Sequence, residues 1–301
     1  MKTKSLISIF LLTSIVVGLA FADGDLPTRF LNSNTVGNTR HNMTQRQATS
    51  SRPVGELMER WRNYYGEVCV YCHTPHGANQ KANLPLWNRT MQSTTYTTYN
   101  ELGTTTLTQD VVQPGLNSLA CLSCHDGQTA IDSIINMPGS GRYLASQETS
   151  TSTTFLDAWQ NPGGNTTYLH GTLTECLACH SGNAGIVGSG AADFTVALIG
   201  TKLTDDHPIG VKFPIDDSKA PDFNTPTGVK GNMRFFDANN NGRLDKQDVR
   251  LYFNNDAIRV ECASCHDPHG VPSGGAGSQF TPTFLRVANS GAALCLTCHA
   301  K

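Results

Sequence analysis

One stretch of this chain is continuously apolar. Residues 6–19 carry Leu, Ile, Phe and Val broken only by Ser, Thr and Gly, with Lys2 and Lys4 before them and Ala20-Phe21-Ala22 after them. A charged start, a short apolar run and a small-x-small site predict a secretory signal peptide over residues 1–22. The run is short for a membrane anchor, no stop-transfer pattern follows, and no later segment is apolar enough to span a bilayer. The mature chain, 23–301, is therefore expected to be exported. Beyond it the pattern turns polar and irregular. Residues 93–108 and 149–154 are rich in Thr and Ser and predict extended loops or short edge strands. Short helices are expected around 54–63 and at a cysteine motif that recurs along the chain. The composition agrees: 38% hydrophobic and 15% charged residues, with 28 Gly and 14 Pro in 301 residues. That argues against a helix bundle or a doubly wound sheet. The expected fold is mostly irregular coil with short helices and few short strands, wrapped around a stacked cofactor array. A net charge of −2 excludes a basic nucleic-acid binder as the default.

The cysteines say what the array is. All ten fall into five copies of C-x-x-C-H: Cys69/Cys72/His73, Cys121/Cys124/His125, Cys176/Cys179/His180, Cys262/Cys265/His266 and Cys295/Cys298/His299. This spacing is the c-type haem attachment motif. Two thiols three residues apart form thioethers to one edge of a macrocycle, and the adjacent His becomes the proximal iron ligand. Disulfides do not explain a His after every second Cys. Zinc needs two such pairs, or added His, per metal. Five covalent haems c are expected, numbered 1 to 5 in chain order. Two motifs share a longer form, Cys72-His73-Thr74-Pro75-His76-Gly77 and Cys265-His266-Asp267-Pro268-His269-Gly270, and the other three read C-L-x-C-H.

Ten His are present, and five remain after the proximal set: His41, His76, His170, His207 and His269. Five irons with two axial ligands each need ten, so bis-histidine ligation throughout is expected, with Met as the competing sixth ligand. An iron with two protein ligands has no open position for a substrate, which favours an electron carrier over an enzyme. Three residues separate His76 from His73 and His269 from His266, a reach of about 10 Å. That is too short to round a macrocycle, so each is expected on a different haem, with haem 5 the nearest candidate for His269. His41 lies in a polar N-terminal stretch and has two expected destinations: haem 1 of its own chain, or a terminal haem of a neighbouring subunit.

A further motif spans 237–248. Asp237, Asn239, Asn241, Asp245 and Asp248, with the Arg243 carbonyl, fill the ligand positions of an EF-hand loop, and Gly242 takes the turn position. Asp248 replaces the usual bidentate Glu, which implies weak binding of one calcium ion. The competing reading is an Asn/Gly turn closed by Asx hydrogen bonds.

Arg40-His41-Asn42, the segment from Val68 through the first motif to Gly77, the Cys121 motif to Gly127, Asp206-His207-Pro208, the Cys262 motif to His269 and the final Cys295 motif together resemble exported multihaem c-type cytochromes with paired C-x-x-C-H motifs. The likeness is greatest to the OmcE-type cytochromes that polymerise into extracellular nanowires. It implies bis-His haems in a continuous stack, one iron ligated by a neighbouring subunit, a head-to-tail homopolymer and electron delivery to redox partner proteins or extracellular acceptors. The OmcE-type proteins carry four haems, and this chain has five motifs. The expected location is extracellular or the cell surface, with the periplasm as alternative. The competing functions are a monomeric electron shuttle and a multihaem reductase.

Overall fold

A computed structural model describes residues 35–44, 48–49, 52–53, 65–91, 93–136, 171–178, 180–182, 193–215, 220–271 and 284–300. The signal segment, the helix expected over 54–63, His170 and Cys179 lie outside these residues.

Regular structure is sparse. Four short α-helices lie among the described residues: α1 Leu116–His125, α2 Leu173–Cys176, α3 Cys262–Cys265 and α4 Ala293–Cys298. Each carries cysteines of one motif. The first motif instead closes a single turn, in which the Cys72 and His73 N–H groups both donate to the Cys69 carbonyl.

The largest regular element is an antiparallel sheet that the sequence reading did not anticipate. After the two-residue pair β1 (Ala48–Thr49) and β2 (Arg52–Pro53) come β3 Val211–Lys212, β4 Gly228–Lys230, β5 Met233–Phe236, β6 Val249–Asn254 and β7 Ala257–Val260. The last five order as β3-β7-β6-β5-β4. Alternation sets the burial of β6: Val249 and Leu251 are buried while Arg250 between them is half-buried. Phe236, Val249, Leu251 and Val260 join Val111, Val211 and Phe213 in one apolar cluster. Two smaller clusters stand apart, Tyr65/Val70/Tyr71/Ile134 and Tyr96/Leu122/Leu203. Apolar packing is thus divided into patches beside the cysteine motifs. No helix among the described residues is long and apolar enough to cross a membrane.

Candidate functional site: five cysteine motifs and their histidines

Helix α1 shows how one motif is held. Its N-cap is Gly115, whose N–H donates to the Glu261 carboxylate from the far end of the chain. A negative charge at a helix N-terminus is favourable, and a Cβ on Gly115 would meet Glu261 and Asn254 at 2.7 Å. The Ser118 hydroxyl also donates to Glu261, and it accepts from the Cys262 N–H at 2.8 Å. Glu261 is itself the N-cap of α3, with the Ser264 hydroxyl accepting its N–H. One buried carboxylate thus joins the second and fourth motifs. In space the second motif abuts the fourth.

The third motif leans on the segment that follows the second. Thr172 and Glu175 form a capping box on α2, and the Ile131 N–H donates to the Gly171 carbonyl at 3.1 Å. The fifth is strapped by 222–224: Asn224 bonds the Leu296 and Cys298 carbonyls through its side chain and N–H respectively. Buried Arg89 ties the loop after α1 together, reaching the Ser123, Ala130 and Ile131 carbonyls and the Ser123 hydroxyl.

Five of the histidines share a feature. Nδ1 of His73 lies 2.7 Å from the Pro85 carbonyl, that of His125 2.6 Å from Ala197, that of His207 3.0 Å from Pro208 and that of His41 3.3 Å from Pro268. Nδ1 of His269 meets the Asp267 carboxylate at 2.8 Å. An acceptor at Nδ1 fixes the tautomer with the proton there, leaving the Nε2 lone pair for a metal. Four of these rings, those of His41, His73, His125 and His207, are biased toward the neutral form. Burial, then the charge of His125, lowers the His41 pKa to about 4. Burial also lowers His73 and His125. It lowers His207 as well, against the Pro208 bond, and the nearby His299 adds to the lowering.

Two ring pairs face each other. His73 and His269 have centroids 6.2 Å apart and planes 12° from parallel. His41 and His125 are 6.0 Å apart at 75°. A metal–imidazole bond is about 2 Å and the ring centre lies about 1 Å beyond the nitrogen, so two axial rings on one metal have centroids roughly 6 Å apart. His269 therefore lies by the first motif, not the fifth, and His41 by the second motif of its own chain, not the first. His180 stacks on Phe194 and His299 tilts against Phe223. His76 is exposed, its carbonyl accepting from Thr74 and Asn136.

These residues fit a covalently bound haem. Burial pushes the Cys72 and Cys298 thiols up to about 12 and Cys265 to about 11. Such sites suit an uncharged thioether better than a thiolate. The Nδ1-anchored imidazoles would offer their Nε2 atoms to the iron. When bound, haem iron supplies one-electron chemistry.

Residues 256–301 match the family described as a doubled CXXCH motif. The doubled motif supports a c-type cytochrome, with haem c bound covalently at C-x-x-C-H and a part in electron transfer. The matched unit covers the fourth and fifth motifs and takes in β7, the strand between β3 and β6. No curated protein matches the chain.

The loop at 237–248 joins β5 to β6. The Asp237 carboxylate accepts from the Asn241 and Gly242 N–H groups, and Asp248 from Ala238 and Asp245. The Asn239 and Asn241 amides donate to Asp245. This is a turn braced by Asx hydrogen bonds, with those two amides presenting nitrogen to Asp245. Among the described residues no group of three or more His, Cys, Asp or Glu is placed to hold a bare metal ion.

Sequence reasoning passed over Glu261, Asp267, Phe284, Arg89 and Arg286. Only Asp267 had a signal, its place between the two histidines of Cys-His-Asp-Pro-His. Arg89, Phe284, Arg286 and the contacts of Glu261 with α1 act across long separations that no local pattern encodes.

Proposed function

We propose that this protein is an exported electron carrier with five bis-histidine haems c. His73, His125, His180, His266 and His299 are proximal, and His41, His76, His170, His207 and His269 distal. The observation that carries the reading is the set of imidazoles anchored at Nδ1, two pairs of which are spaced as axial ligands of one iron. His76, His170 and His207 are left for haems 3, 4 and 5. Each iron so held has no site for a substrate, and the chain's work is to keep rings close and water out while electrons hop. The test is the visible and electron paramagnetic resonance (EPR) spectrum of the purified holoprotein. All haem is expected to be low-spin, with no rapid uptake of carbon monoxide. A stoichiometric high-spin haem that binds ligand would replace this reading with the reductase.

The resemblance to nanowire cytochromes supports a second step, head-to-tail polymerisation into an extracellular conduit. His41 beside His125 of its own chain is then not the joint, and a filament would close through other contacts. Negative-stain microscopy of secreted protein separates filaments from a monomeric shuttle.

A further inference from the structure

Both facing ring pairs depend on one loop in the fourth motif. His269 faces His73, while the carbonyl of Pro268, one residue earlier, lies 3.3 Å from Nδ1 of His41. The other face of the His41 site is closed by Phe284, whose ring stacks on the imidazole at 4.4 Å and 18°. Phe284 has φ of 44°, in the left-handed region that a bulky residue rarely adopts, and strain of this kind persists where surrounding structure enforces it. The enforcement is visible. The Asp267 N–H donates to the Phe284 carbonyl at 2.9 Å and the Arg286 N–H to Cys265 at 2.8 Å. The Asp267 carboxylate holds the His269 ring on one oxygen and meets Arg286 at 3.2 Å on the other.

We propose that the loop at 267–269 completes the iron coordination of both N-terminal haems. His269 is the sixth ligand of the haem on Cys69 and Cys72, and Pro268 with Phe284 positions His41 as the sixth ligand of the haem on Cys121 and Cys124. The proposal rests on the bis-histidine reading and deepens it. The two centres differ in kind. Planes 12° apart split the iron dπ orbitals and produce a rhombic low-spin signal; planes 75° apart leave those orbitals nearly degenerate and produce a strongly anisotropic one.

The experiment is EPR on the oxidised five-haem holoprotein. The wild type is expected to contain both signals. His41→Ala converts the anisotropic haem to high-spin and spares the rhombic component. His269→Ala spares the anisotropic signal and converts one rhombic haem. Phe284→Ala keeps every haem low-spin but moves the anisotropic signal, which a merely structural role for Phe284 would not do. In a Cys69→Ala/Cys72→Ala background, His269→Ala adds no further high-spin haem. An anisotropic signal undiminished by His41→Ala, or a new high-spin haem in the background lacking haem 1, overturns the pairing. A high-spin haem in the wild type would sink the bis-histidine reading instead. Should the variants not accumulate, an experimental density map of the wild-type holoprotein decides: His73 and His269 on one iron, His41 and His125 on another, or the pairing is wrong.

Discussion

Asp267 illustrates how much a single carboxylate carries. Burial alone would raise its pKa, but the hydrogen bonds from His269 and the charge of Arg286 outweigh burial and hold it well below the ordinary carboxylate range. A carboxylate on a ligating imidazole raises the ligand's basicity. In Asp267→Asn the iron served by His269 is therefore expected to lose ferric stabilisation, and a redox titration should find one haem shifted to higher potential. A depressed carboxylate contributes stability above its unfolded value of about 4, lost as pH falls toward the folded value. Thermal midpoints of wild type and Asp267→Asn are expected to converge below about pH 4. Arg286→Met leaves Asp267 buried without its cation, and chemical denaturation should show a loss of about 3–5 kcal/mol.

At the scale of elements, the junction of α1 and α3 matters most. Glu261 accepts from Gly115 and Ser118 on one side while capping α3 on the other. Glu261→Ala leaves buried donors unpaired at about 1–3 kcal/mol, and denaturation of the holoprotein should show it. The loop between β5 and β6 is less demanding. Gly242 has φ of 72° with open space around its Cα, so Gly242→Ala is expected to cost about 1 kcal/mol from backbone strain alone, read as a lowered melting midpoint. The motif helices were legible because C-x-x-C-H is contiguous, and its turn is built from bonds within the motif. Strand β6 shows its alternation only over Val249, Arg250 and Leu251, too briefly to announce a five-stranded sheet. Its partner β5 lies across a loop that the same sequence presented as a metal motif.

For the whole molecule, the inventory of histidines could be read from the chain but their partners could not. Which ring meets which is decided by loop-to-loop contacts such as Pro268 with His41, 227 residues apart. The tether argument excluded the haem of the fourth motif for His269, and only the fold places it by the first. Motif order is likewise not spatial order, since Glu261 seats the fourth motif against the second. The family-matched unit, 256–301, is consequently no detachable module: it supplies the strand between β3 and β6 and the loop that faces His73 and His41.

That loop also bears on how the protein is made. On the proposed export route the chain would cross N-terminus first, and chains acquire structure from the N-terminus onward. The first motif would then emerge before the Asp267 loop. With His269 as sixth ligand, a chain halted between them would present haem 1 open on one side, reactive toward diatomic gases and peroxide until that loop lands. Biogenesis then contains a vulnerable interval that the finished protein lacks. Translocation intermediates arrested before residue 267 are expected to bind carbon monoxide at that haem, and release of the arrest should expel it.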